Sequence, residues 1–458
     1  RRELLLQTWR QLNSSQRLVW NKLITGQFRI GVSKTLVIRA LAQVAGIAPA
    51  IMAHRVLGEW KPTEKDLQKI LSGATDHSET AQPYPFFLAS PIEAKIKTGE
   101  TFAEILGDIE DWQIEWKWDG IRAQLIHRNN EICIWSRGDE MVTEMFPEIR
   151  DAGNALPNGA VFDGEIVAWQ NGRVSTFTQL QRRLGRKKVS VAIQTQFPVA
   201  FLAYDLLEFD GNDWRAKPLR ERRAKLKMIL EQTWQNLSVR SKQETARVAS
   251  FLFHDFEKVK SSAEVALRLS PIIEAKSWDE LTQIQLESRA RGAEGLMLKR
   301  SDSAYGVGRQ RGDWWKWKID PFLIDAVLIY AQRGHGRRAS LFSDYTFGLW
   351  ENGKLIPIAK AYSGLTDEEI RQVDSFVRSH TLEKHGSVSI VQPELVFELA
   401  FEGIQKSSRH KSGIAVRFPR MNRWRQDKKS TEADTLENLK NLLESETRIQ
   451  TGKNSVAV

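Results

Sequence analysis

Apolar residues recur along this chain at two spacings, and the spacing changes with position. Leu4, Leu5, Trp9, Leu12, Leu18 and Trp20 fall at helical intervals, with Asn13-Ser14-Ser15 as a break or cap between them. Gly26-Gln27-Phe28-Arg29-Ile30-Gly31-Val32-Ser33 then leads into a second periodic helix through Ala42, for which Ser33 is the predicted N-cap. Residues 1 to about 80 therefore read as helical. A turn-rich stretch over 75–92, with Pro83, Pro85 and Pro91, separates this helical region from a strand-rich one. From about 93 to 318 alternation takes over, predicting strands at 113–118, 122–127, 131–136, 160–168, 199–207, 295–300 and 314–319 and helices at 216–233 and 277–291. From 320 to about 428 short strands recur at 322–331, 345–350, 354–360, 387–391, 394–402 and 413–418, as in a small β-barrel. A helix near 366–380 interrupts them, opened by the capping box of Thr366 and Glu369. The tail carries a weakly amphipathic helix through Leu436, Leu439, Leu442 and Leu443 and then a polar end.

Composition narrows the classes. A length of 458 residues suggests about three domains. The net charge of +10, with a pI near 9.5, favours a polyanionic partner, although solubility alone also accounts for it. The one cysteine, Cys133, flanked by Ile132 and Ile134, reads as a core residue and excludes both an internal disulfide and a zinc site of several cysteines. No apolar run approaches a membrane span, and no signal peptide is recognisable. The expected setting is therefore cytoplasm or nucleoid. The start at Arg1 rather than Met suggests a missing N-terminal piece.

Several polar groups sit where the alternation places them at strand ends. In Glu115-Trp116-Lys117-Trp118-Asp119-Gly120-Ile121-Arg122 a lysine precedes a glycine that permits a tight bend. Such a lysine is either an exposed strand-edge cation or a nucleophile. Ser136-Arg137-Gly138 closes a strand with a cation. Asp163 and Glu165 share a strand face and point toward a sugar or a hard cation. Glu294 opens an apolar strand that ends at Lys299. Lys316 and Lys318 share a face opposite Trp315 and Trp317, and two lysines so placed call for anions. Arg29, Lys34 and Arg39 add cations near the predicted helix start at Ser33, a position suited to phosphate. The basic stretch 182–188 reads equally as a phosphate contact or a solvated face.

Taken together, Lys117-Trp118-Asp119-Gly120, Ser136-Arg137-Gly138, Asp163-Gly164-Glu165, Ala203-Tyr204-Asp205-Leu206-Leu207, Glu294-Gly295 with Lys299, and Lys316-Trp317-Lys318 resemble the ordered motifs of the covalent nucleotidyltransferases, the polynucleotide ligases and capping enzymes. Arg417-Phe418-Pro419-Arg420 with Trp424-Arg425-Gln426-Asp427-Lys428 resembles the last ligase motif. The Phe28-Arg29-Ile30-Gly31-Val32 segment resembles the helical DNA-binding domain of ATP-dependent DNA ligases, and it favours them over RNA ligases and capping enzymes. NAD-dependent ligases carry a four-cysteine zinc module that a chain with one cysteine lacks.

The resemblance implies a multidomain α+β protein. Its parts are a helical N-terminal DNA-binding domain over 1–88, a mixed α/β adenylation (nucleotidyltransferase) domain over 89–319, a C-terminal OB-fold β-barrel over 320–430 and a tail over 431–458. It implies ATP and Mg²⁺ as cofactors, nicked double-stranded DNA as partner, and a monomer. Lys117 would be the nucleophile that carries AMP. Glu115, Arg122, Arg137, Glu165, Tyr204, Lys316 and Lys318 would contact the nucleotide, together with Arg311 or its neighbour Arg309. Glu165 and Glu294 would hold the metal, and Arg417, Arg425 and Lys428 would orient pyrophosphate on closure. Arg29, Gly31 and Ser33 would meet DNA.

Overall fold

The structure, a computed structural model, describes residues 2–25, 32, 34–47, 49–56, 61, 63–72, 82–92, 100–186, 189–249, 266–334 and 338–451. Arg29, Gly31 and Ser33 lie outside these residues, as do Lys187 and Lys188 of the basic stretch. Among the described residues no helix is long and apolar enough to cross a membrane.

The helical periodicity of the N-terminal region becomes the helices Arg2–Gln11, Ser14–Ile24, Lys34–Ala45, Pro49–Arg55 and Glu64–Ser72. Asn13 caps the second through a reciprocal box with Gln16. Ala42, Met52, Val56 and Ile70 make a small core between the later helices.

The middle region is two sheets facing one another. One has the strand order Ile272–Ile273, Trp112–Trp118, Ala293–Arg300, Trp314–Lys318, Ser90–Pro91. The other runs Leu267–Leu269, Val199–Phe209, Ala160–Gln170, Ile121–Arg128, Glu131–Ser136. Phe87, Cys133, Trp135, Val161, Leu207 and Trp314 are among the buried residues that fill the space between them, so Cys133 is a core residue as expected. Gly120 carries the chain from the first sheet to the second. A Cβ there would stand 2.3 Å from the Ile166 carbonyl and 2.8 Å from Glu165 Cγ, so only glycine fits this crossing.

The C-terminal region is a seven-stranded antiparallel sheet. Its path runs Lys354–Ala361, Phe342–Glu351, Phe322–Arg333, Val388–Val391, Thr381–His385, with Val396–Phe401 and Arg420–Trp424 branching from the central strand. The expected closed barrel is thus an open sheet here. The long central strand divides one edge between two partners, Phe322 to Val327 pairing with 396–401 and Tyr330 to Gln332 with 388–390. The strands Gly403–Lys406 and Ile414–Arg417 form a separate hairpin instead of joining the sheet. The helix Asp367–Ser379 has the predicted Thr366–Glu369 box. The helix Leu436–Thr451 buries Leu436, Leu439 and Leu443 in the core of this unit.

Candidate active site

Two backbone irregularities aim the side chains that matter. In the pairing of Ala293–Arg300 with Trp112–Trp118, Ala293 faces Trp118 and Leu296 faces Trp116. Glu294 and Gly295 therefore oppose Lys117 as a bulge, a device that re-aims a side chain. Gly295 has φ 137°, and a Cβ would meet the Trp317 carbonyl at 2.1 Å. The Glu294 carboxylate accepts from Lys117 Nζ. A second register shift lies between Val199–Phe209 and Ala160–Gln170, where Asp163 faces Asp205 and Gly164 faces Ala203. Tyr204 is the extra residue.

Around Lys117 and Glu294 a charged cluster gathers from both units. Lys318 Nζ lies 3.6 Å from Glu294 and 2.9 Å from Glu402. Arg417 reaches over from the C-terminal hairpin, donates to Asp119, and lies 3.9 Å from Glu294. Its guanidinium also covers the Phe177 ring at 4.3 Å. Burial pushes the Glu294 carboxyl up, but the charges of Lys117 and Lys318 outweigh that and hold it at about 2. Burial raises Asp119, with Arg417 pulling it back. A cleft of ≈ 810 Å³ opens here, lined by Asp119, Glu294, Lys318, Glu402, Arg417 and Phe177 among others.

Deeper between the sheets the polar groups bond one another. Arg122 donates to both oxygens of Asp163, at 3.2 and 2.6 Å, and to the Phe87 carbonyl at 2.6 Å. Tyr204 and Tyr305 hydroxyls donate to the same carboxylate at 3.2 and 2.6 Å. Asp163, read from the sequence as facing a sugar or cation, is instead saturated by protein donors. Glu115 is buried, accepting from Gln113 and from Lys299 at 2.9 Å. Lys299 Nζ in turn sits 4.1 Å from the centre of the Tyr204 ring. Lys299, named in a motif but given no role, thus joins the site, and so does Tyr305, which the sequence did not point to. Lys299 had a signal, a lysine closing an apolar strand; Tyr305 had none.

The remaining expected residues divide. Glu165 lies beside the Gly120 crossing, and burial pushes its carboxyl up to about 8 despite the opposing charges of Lys117, Arg122 and Arg137. Arg137 is exposed, its backbone N–H tied to the Arg122 carbonyl at 2.9 Å. Lys316 is half-buried between Met297 and Pro91 in the sheet, and Arg309 and Arg311 are exposed. Arg425 and Lys428 are not brought to Lys117 in this conformation. They hold the buried Asp325 at 2.7 and 2.6 Å.

A divalent cation has a candidate place. Among the described residues no three acidic, His or Cys side chains are gathered as a ready metal site. Glu165 and Glu294 fit Mg²⁺ nonetheless, because that ion keeps several waters and takes few protein carboxylates beside substrate phosphates. A carboxyl held protonated by burial, as Glu165 is, regains its charge when a cation arrives.

Residues 88–318 match the family model of the ATP dependent DNA ligase domain, and residues 338–428 match that of the ATP dependent DNA ligase C terminal region. A probable DNA ligase of Koribacter versatilis is 38% identical over 432 residues, covering 93% of this chain and 71% of the relative. A probable DNA ligase of Opitutus terrae is 36% identical over 455 residues, covering 91% of this chain but 44% of that relative. The solved structure Pmar-Lig_PreS3 is alike in fold, with a TM-score of 0.52 and 18% identity over 79% of this chain and 72% of its own. With both units matched and the motif lysine at the centre of the cluster, the chain belongs to the ATP-dependent DNA ligases, enzymes that form phosphodiester bonds through a lysyl-AMP intermediate.

Proposed function

We propose that Lys117 is the nucleophile and that the substrate is a nick in duplex DNA. The observation that carries this is the bulge-aimed contact of Glu294 with Lys117, with Lys318 and Arg417 close to the same carboxylate. The Lys117 amine attacks the α-phosphorus of ATP, a nitrogen–phosphorus bond forms as the bond to pyrophosphate breaks, and the ammonium proton passes to solvent. AMP then passes to the 5′-phosphate of the nick, and the 3′-hydroxyl displaces it. Positioning and charge neutralisation dominate such transfers. Lys316 and Lys318 neutralise the α-phosphate, Tyr204 stacks the base, and Glu115, Arg122, Arg137 and Arg311 complete the nucleotide contacts. Tyrosine retains a π face, which supports the stacking role. Glu165 and Glu294 would hold Mg²⁺, which when bound neutralises charge on the phosphates.

Arg425 and Lys428 reach pyrophosphate only if the C-terminal unit reorients, so we assign them to a second conformation. That unit acts as an oligonucleotide-binding fold, and Arg29, Gly31 and Ser33 meet the DNA backbone. In this reading the working unit is a monomer. Its place is with the DNA, in cytoplasm or nucleoid.

Intact mass before and after ATP and Mg²⁺, with GTP and NAD⁺ as parallel arms, tests the reading. The expected result is a gain of one AMP with ATP alone, mapping to Lys117, and no gain in Lys117→Ala. AMP attached to the alanine variant would remove the assignment. A prior pyrophosphate wash distinguishes enzyme that is already charged.

A further inference from the structure

The hairpin that brings Arg417 to the cluster also brings an acid. Glu402 directly precedes the hairpin, and its N–H donates to the Arg417 carbonyl at 2.9 Å. The two side chains therefore arrive together. Arg417 lands on Asp119 and near Glu294, while the Glu402 carboxylate lands on Lys318 at 2.9 Å, with Arg420 at 3.6 Å behind it. The contact surface is charge-complementary in both halves. It is extended by Thr178 donating to Gln405 and by the Phe177–Arg417 stack.

Glu402 is the odd member. A cation from the C-terminal unit can serve a triphosphate, but a carboxylate on Lys318 occupies the place where a phosphate oxygen would sit. With Glu294 already 3.6 Å from that ammonium, a phosphate arriving there meets the added repulsion of the Glu402 carboxylate. We propose that Glu402 is a stand-in for the nucleotide phosphate. It seats the hairpin on Lys318 while no nucleotide is bound. The arriving phosphate displaces it, so Glu402 raises the ATP concentration needed for the first step and loosens the C-terminal unit once ATP is in place. This rests on the reading of Lys318 as a phosphate contact.

Lys318 and Glu402 are partly exposed, 29% and 25%, so solvent screens the pair and the effect is modest. Glu402→Gln keeps the shape and removes the charge. The half-saturating ATP for AMP attachment, measured in single turnover by intact mass, is expected to fall about three- to fivefold, without a fall in the saturated rate. An unchanged or higher half-saturation overturns the proposal. So does a lower saturated rate, which would mean that Glu402 holds Lys318 in its working position.

A second readout does not use activity. Thr178→Cys with Gln405→Cys places a thiol on each side of the contact, and the native Cys133 is buried. A short bis-maleimide should bridge the pair readily in nucleotide-free protein, and distinctly less when Glu402→Gln is added. Equal bridging in both backgrounds overturns the docking role. If Glu402→Gln does not fold, Glu402→Asp replaces it, with a half-saturation expected between wild type and half of wild type; no change again counts against. Wild-type protein that takes no AMP from ATP would instead defeat the Lys117 reading, an outcome separable from all of these.

Discussion

Two charged clusters, one between the sheets and one where the C-terminal hairpin meets them, are built differently. In the inner one Asp163 is wholly buried and Arg122 is 11% exposed; every oxygen of the carboxylate has two donors. In the outer one Lys117, Glu294, Lys318 and Arg417 are 21%, 19%, 29% and 31% exposed, and their partners come from two units. The inner cluster is closed. Taking away the Asp163 charge leaves the buried Arg122 guanidinium without its counter-charge, which is costly. Each contact of the outer cluster can be exchanged for a phosphate oxygen, a cation or water. Rigid support behind replaceable charge is what positioning of a phosphoryl group requires.

The largest test of this contrast is Asp163→Asn. It leaves the Arg122 guanidinium buried without its counter-charge, and about 3–5 kcal/mol of stability should be lost, as is usual when a buried pair is broken from one side. Denaturant unfolding at neutral pH measures this. AMP attachment to Lys117 should persist in the folded fraction at low temperature. A loss under about 1 kcal/mol would mean that the inner cluster is not a rigid frame for the outer one.

Glu165 stands between the two, half-buried, with the charges of Lys117, Arg122, Arg137 and Glu294 acting on it. Its folded carboxyl titrates at about 8, against an ordinary value of 4.5. Between those values the unfolded chain has released the proton and the folded one has kept it. Stability therefore falls as pH rises through this window. Glu294 has the opposite sign: held at about 2, it contributes stability above 4.5 that is lost as pH falls toward 2. Glu165→Gln should raise the melting temperature of metal-free, nucleotide-free protein more at pH 8.5 than at pH 5, while weakening AMP attachment. A difference between wild type and variant that is flat with pH would sink the assignment of Glu165 as a carboxyl strained by burial.

The outer cluster was largely legible in the sequence because its members sit in local patterns: Lys117 before Gly120, Glu294 before Gly295, and Lys318 two after Lys316 on one strand. Strand alternation likewise located most of the sheet, since one face of each strand is buried. Arg122, Asp163 and Tyr204 of the inner cluster stand in motifs, but their bonding to one another was not legible. Tyr305 donates to an acid 142 positions away, from a stretch with no periodicity. Arg425 and Lys428 carry a motif, but no motif reveals that Asp325, about 100 positions upstream, neutralises them in this conformation. Glu402 follows an apolar strand and looks like a solvated strand end; only the docking of one unit on another gives it Lys318 as a partner. The helix Leu436–Thr451 read as a weak tail because its apolar stripe is narrow, yet three leucines suffice to anchor it.

The finest test is Tyr305→Phe. It deletes one hydroxyl and leaves Asp163 with Arg122 and Tyr204 as donors. The ring remains, with its edge contacts to Phe87 and Trp314. Two hydrogen bonds are lost, the one donated to Asp163 and the longer one accepted from Arg122 at 3.2 Å, so the expected cost is about 1.5–3 kcal/mol, below that of Asp163→Asn. The Asp163 oxygen that Tyr305 served keeps the 2.6 Å bond from Arg122, which limits the damage. Because the change is confined to the frame, the half-saturating ATP and the saturated rate of AMP attachment should both hold within about twofold at a temperature where the variant is folded. If the rate fell sharply while the melting temperature did not move, Tyr305 would belong to the chemistry, and the division between a fixed inner cluster and an exchangeable outer one would have to be redrawn through Asp163.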